Sequence, residues 1–151
     1  MLNIFVRQWD KNKDVLRDKL VPLSVKRVDY DELVKVAFDV IYNQNNETID
    51  STNRALDIEH ITVIDNGDYQ GTLLYFIPFE TYQPSESEYL LTYVGYGSCS
   101  GCDALQWIYD CTTGKKQVDA LLSLCKDIIT NTIRPYNTGW RSSEDFEVAT
   151  V

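Results

Sequence analysis

The apolar positions of this chain change period twice, dividing it into a helical start, an extended middle and a helical end. Asp10 to Leu20 is charged, with Val15, Leu16 and Leu20 spaced to share one helical face, which predicts a short helix closed off by Pro22. Asp29-Tyr30-Asp31-Glu32 then has the form of a capping box: the first carboxylate accepts from exposed amides and Glu32 reaches back to the cap. Leu33, Val36, Ala37, Val40 and Ile41 recur at helical spacing. The Asn-Gln-Asn-Asn run at 43–46 ends this helix, because such side chains compete for backbone hydrogen bonds.

From His60 the period becomes that of a strand. His60 to Asp65 is β-branched, Asn66-Gly67-Asp68 signals a turn, and Tyr69 to Phe79 is apolar and aromatic, which predicts a hairpin. Pro78 and Pro84 bracket its exit, and Tyr89 to Tyr96 gives a third strand, antiparallel to the second because the connection is short. Ala104 to Tyr109 reads as a short helix interrupted at Thr112-Thr113-Gly114. From Gln117 a stripe of Val118, Leu121, Leu122, Cys125, Ile128, Ile129 and Ile133 predicts a longer helix stopped by Pro135. The expected fold is α+β: a small, mainly antiparallel sheet of about three strands covered by helices over 30–43 and 115–134. It occupies one globular domain over 1–136, with 137–151 a polar, acidic tail or an arm docked through Trp140 and Phe146.

Charge narrows the choice of partners. The chain of 151 residues carries a net charge of -9, and nearly all the excess lies between residues 41 and 113, where Arg54 stands against eleven carboxylates. That field repels phosphate backbones, so direct nucleic-acid binding is not expected. A basic protein surface is the better electrostatic match, as in a decoy that imitates DNA, against the plainer alternative of a solvated acidic surface. The first nine residues lack the pattern of a secretion signal, and no run approaches the roughly 18 apolar residues of a membrane span. The expectation is a cytoplasmic protein without membrane association.

The reactive side chains converge at Cys99-Ser100-Gly101-Cys102, between the third strand and a helix. A helix amino terminus would stabilise Cys99 as a thiolate, giving a redox reading, although the surrounding order of elements departs from that of a thioredoxin. A zinc reading uses Cys99, Cys102 and Cys111; Cys125 sits in the apolar stripe and reads as core. A third reading takes Gly97, Gly101 and the serines as an anion-binding set of amides, which Asp103 opposes, and a tight turn accounts for the same glycines. His60, the only histidine, reads as a surface residue unless it meets Cys99 across the sheet.

Seven of the ten tyrosines lie between Tyr69 and Tyr109, inside the acidic segment. Tyrosine is enriched at binding hot spots, so Tyr82, Glu86, Glu88, Tyr89, Tyr93 and Tyr96 form the candidate interface, suited equally to a homodimer. The stretch from Gly71 to Gln106, above all Tyr-Gly-Ser-Cys-Ser-Gly-Cys-Asp at 96–103, resembles small proteins of unassigned function encoded by bacteriophages and some Firmicutes. That resemblance implies a phage accessory protein acting in the bacterial cytoplasm. The leading expectation is a non-enzymatic protein, without cofactor, that binds and modulates a host or defence protein. The alternative is a zinc- or thiol-dependent protein centred on Cys99 and Cys102.

Overall fold

The computed structural model describes residues 2–43, 55–81, 84, 88–135 and 146–148. Its helices are α1 (Leu2–Lys26), α2 (Tyr30–Phe38), α3 (Ala104–Cys111) and α4 (Gly114–Thr130), and its strands are β1 (Thr62–Gly67), β2 (Gly71–Pro78), β3 (Tyr89–Tyr96), β4 (Ile133–Pro135) and β5 (Phe146–Val148). All pairings are antiparallel, in the spatial order β1-β2-β3-β4-β5. The three long strands and the covering helices make the α+β architecture expected from the pattern, and the two three-residue strands extend its edge.

The first helix is longer than its charge pattern predicts. Pro22 lies inside α1 instead of ending it. A proline there cannot donate to the carbonyl one turn earlier, but Pro22 is exposed, so water can satisfy that carbonyl. Beyond the proline, the Tyr109 hydroxyl donates to the Leu23 carbonyl at 2.7 Å and fastens the last turn to α3. The buried stripe of α1 runs through Trp9, Leu16 and Leu20, whereas Val15 is exposed.

Asp29 caps α2 as its sequence requires, its carboxylate accepting from the Glu32 amide at 3.0 Å. The helix then widens into a π turn, Asp39–Asn43. The Asn43 side chain donates to the Leu56 carbonyl and accepts from the Leu56 amide, both at 2.9 Å, so a competing asparagine becomes a clamp on the segment entering the sheet. The corner between α1 and α2 places Arg27 at φ 60°, a conformation disfavoured for a residue with a side chain. Tyr109 accepts from the Val28 amide at 3.0 Å, and Arg27 pairs with Asp110 at 2.8 Å, which holds that corner against α3.

The last long helix ends earlier than its stripe suggests. α4 stops at Thr130, and Ile133 belongs to β4, paired with Leu91. Pro135 therefore lies in a strand and does not terminate the helix. Of the segment 137–151, described only at 146–148, the strand β5 pairs with β4.

The core lies between the sheet and the helices. Tyr75 and Ile77 of β2 and Leu90 and Val94 of β3 pack with Leu33, Ala37 and Phe38 of α2, Leu105 and Ile108 of α3, and Leu121, Cys125 and Ile128 of α4. Each fully buried aliphatic side chain in such a core contributes roughly 1.5–3 kcal/mol. Two polar contacts fix the helices to this face: the Tyr75 hydroxyl donates to Asp31 at 2.7 Å, and the Thr92 hydroxyl donates to the Ile128 carbonyl at 2.6 Å.

Candidate functional site

Two regions carry the residues singled out by sequence: the open face of the sheet and the cysteine turn at its end. In a strand, alternate side chains project to opposite faces. The helices cover the face of Leu73, Tyr75, Ile77, Leu90, Thr92 and Val94, leaving the other parity of each strand on the far side. There the register sets Ile64 beside Leu74 and Leu74 beside Tyr93. A second row runs from Thr62 through Phe76 and Leu91 to Ile133.

Directly paired residues have Cβ atoms about 4.5–5.5 Å apart, so these rows make one continuous patch. None of Ile64, Leu74, Phe76, Leu91 and Tyr93 belongs to the core, and Ile64 and Tyr93 are 47% and 44% exposed. Every position of this parity on the three long strands is uncharged, although the strands lie in the most acidic part of the chain. Carboxylates lie beyond its edges, Asp68 in the hairpin turn and Glu80 after β2, while Asp65 is on the opposite face. The hairpin is tightly closed at that turn, since a Cβ on Gly67 would come within 2.6 Å of the Gly71 Cα.

Of the interface residues expected from sequence, Tyr89 and Tyr93 lie on this face. Tyr96 has the opposite parity: its hydroxyl donates to Asp65 at 2.5 Å, and that bond, foremost, pushes its pKa up to about 12. Glu88 is half-buried just before β3, and Tyr82 and Glu86 lie outside the described residues. Sequence reasoning passed over Ile64, Leu74, Phe76 and Leu91. The signal was the run Leu73 to Ile77, apolar at every position, which marks a strand with two apolar faces.

At the end of β3 the chain turns through Gly97 to Cys102 and enters α3. Asp103 is the N-cap, its carboxylate accepting from the Gln106 amide at 3.0 Å. The same buried carboxylate accepts from the Gly97 amide at 3.0 Å and from the Tyr30 hydroxyl at 2.9 Å, while Tyr30 accepts from the Leu105 amide at 3.1 Å. Asp103 thus joins the end of β3, the start of α3 and the start of α2. Burial, chiefly, pushes the Tyr30 pKa up.

The thiol singled out by sequence is not the one this turn favours as an anion. Cys99 and Cys102 are both exposed, but the backbone donors gather on Cys102, whose sulfur accepts from the Cys99 amide at 3.0 Å. Hydrogen bonding from the Cys99 side chain, then from the Cys99 and Ser98 backbone, lowers the Cys102 pKa. Gly97 permits this wrapping, since a Cβ there would lie 2.7 Å from the Cys102 sulfur. Cys125 is buried in the core and its pKa is pushed up by burial.

Cys111 stands at the far end of α3, about 10 Å along the axis from the helix start, so the structure does not bring it to the pair. Among the described residues no three His, Cys, Asp or Glu side chains gather where a metal ion could be held. His60 pairs with Asp57 at 2.7 Å, at the Thr62 end of β1, whereas the cysteine turn follows Tyr96, which is level with the Gly67 end. The length of β1 separates them by about 16 Å, so they form no Cys/His pair. Among the described residues no helix is long and apolar enough to cross a membrane. Comparison of the chain with protein-family models, with curated proteins and with solved structures returned no match.

Proposed function

We propose that this protein acts by binding another protein through the open face of its sheet. The row Ile64, Leu74 and Tyr93, flanked by Phe76 and Leu91 and with no helix over it among the described residues, carries the reading, because an uncharged apolar centre with carboxylates beyond its edges is the composition of a binding patch. The acidic surroundings select a partner with a basic surface, and a protein that itself binds nucleic acid offers one. The resemblance of residues 71–106 to phage and Firmicutes proteins supplies the setting: an accessory protein in the bacterial cytoplasm that modulates a host or defence protein.

Affinity capture from bacterial lysate, with the full chain immobilised, tests this. A partner retained by the wild type should be lost on the double substitution Ile64→Ser with Tyr93→Ser, kept by Tyr96→Phe, and released as salt rises. Capture that survives the double substitution would place the binding surface elsewhere. A wild-type chain that elutes as a dimer and becomes monomeric on the same substitution would assign the face to a second copy.

A further inference from the structure

We propose that Cys102 and Cys99 form a dithiol exchange site that takes a small cationic or neutral disulfide, with Cys102 the attacking sulfur and Cys99 the resolving one. The site is separate from the open sheet face and stands on its own geometry. An open groove of about 640 Å³ runs between α3 and α4, and of the two cysteines only Cys102 lines it. Ile108 and Leu124 contribute buried apolar surface to that lining, the half-exposed Trp107 flanks it, and Ser123 and Asp127 present polar groups from α4. Cys99 lies in the turn outside the lining. A small molecule in the groove therefore meets Cys102 first.

The backbone prepares the sulfur for this role. As a thiol, Cys102 donates to the Cys99 carbonyl at 3.2 Å; as a thiolate it keeps the Cys99 amide as a donor at 3.0 Å. The lowered pKa of Cys102 agrees with that arrangement. The Cys102 amide also donates to the Cys99 carbonyl at 3.0 Å, which closes a four-residue turn. Such a turn holds its end Cα atoms within about 7 Å, close to the span of a disulfide. A bond between the two sulfurs thus needs only a small local adjustment.

The reaction is thiol–disulfide exchange with a disulfide RSSR as the oxidant. The Cys102 thiolate attacks one sulfur of RSSR, the bond between its two sulfurs breaks, and RS⁻ leaves and is protonated by water. Cys99 then gives its proton to solvent and attacks the Cys102 sulfur, expelling the second RS⁻, which is likewise protonated. The dithiol has lost two electrons to form the Cys99–Cys102 disulfide, and RSSR has become two RSH. Asp103 and Asp127 in the lining give the approach a negative character, whereas Asp110 beside the turn is already paired with Arg27. That charge favours a cationic disulfide such as cystamine over the anionic glutathione disulfide.

Competitive alkylation of the unmodified wild-type chain at pH 7, read by peptide mass spectrometry, provides the first test. Cys102 should react at least about threefold faster than Cys111, the exposed thiol at the other end of α3. With cystamine, the wild type should end as the Cys99–Cys102 disulfide without adduct on either of these residues, Cys99→Ser should trap a mixed disulfide at Cys102, and Cys102→Ser should lose the fast reaction. Glutathione disulfide should react several-fold more slowly, with the difference shrinking as salt rises. Equal alkylation of Cys102 and Cys111, or a wild-type chain that retains the cystamine adduct at Cys102, would overturn the proposal. The alkylation comparison uses no variant, so a misfolded substitution cannot leave the question open.

Discussion

Leu90 and Leu91 are neighbours on β3, yet Leu90 is fully buried under the helices while Leu91 lies on the other side, between Phe76 and Ile133. The same contrast holds along β2 between Tyr75, whose hydroxyl is bonded to Asp31, and Leu74, which belongs to no part of the core. One face is occupied by partners from the chain itself. The other keeps the composition of a core and has, among the described residues, no helix packed on it. The covered face stabilises the fold, and the other is the face on which the proposed binding function rests.

The largest expected effect comes from cutting into the covered face. Leu90→Ala should cost about 2–5 kcal/mol in denaturant unfolding, since it removes buried methyl groups and leaves a cavity. A loss below about 1 kcal/mol would mean that the helices do not seal that face.

Asp103→Ala should come next, at about 3 kcal/mol, because it strips partners from the Tyr30 hydroxyl and from the Gly97 and Gln106 amides together. Asp103→Asn keeps one acceptor oxygen for Tyr30 and Gln106 but sets an NH2 group against the Gly97 amide, and should cost less than alanine, about 1–2 kcal/mol. If the two substitutions cost the same, the charge of the carboxylate would matter more than its geometry as a cap.

Alkaline pH should weaken the covered side as well. Burial, first, and hydrogen bonds to Asp103 and Asp31 push the pKa values of Tyr30 and Tyr75 up, and the bond to Asp65 raises Tyr96 to about 12. Below about pH 10 folded and unfolded chains both keep these protons. Above it the unfolded chain releases them first, so stability should fall as pH rises from about 10 through the native titrations. Phenolate absorbance followed alongside unfolding checks this, and a late-titrating class of tyrosines should vanish on denaturation.

The smallest change in stability belongs to the open face. Ile64→Ser and Tyr93→Ser should each shift unfolding by about 0.5 kcal/mol or less, while the two together abolish partner capture. A large loss of stability from either would show that this face is covered in the folded protein, and would remove the contrast between the two sides.

Much of the architecture was legible because local chemistry decides it. Asp29 and Asp103 cap helices with the short carboxylate that such positions favour, and the bounds of β3 coincide with the run Tyr89 to Tyr96. Less legible were the elements that distant contacts hold. Tyr109 secures α1 beyond Pro22, and pairing with Leu91 draws Ile133 out of a helical stripe into a strand. The candidate interface was legible in part: Tyr89 and Tyr93 share the open face, but Tyr96 has the opposite parity and is tied to Asp65.

By itself, the sequence determined which segments are helix and which are strand through most of the chain, since period, caps and turns act over a few residues. It also determined that β2 has two apolar faces. Tertiary structure decided which face the helices cover, because the covering residues come from α2, α3 and α4, far along the chain in both directions. It decided too that Cys102, and not Cys99, receives the backbone donors, because the path of the turn around a sulfur is set by Gly97 and by the anchoring of Asp103 to three elements.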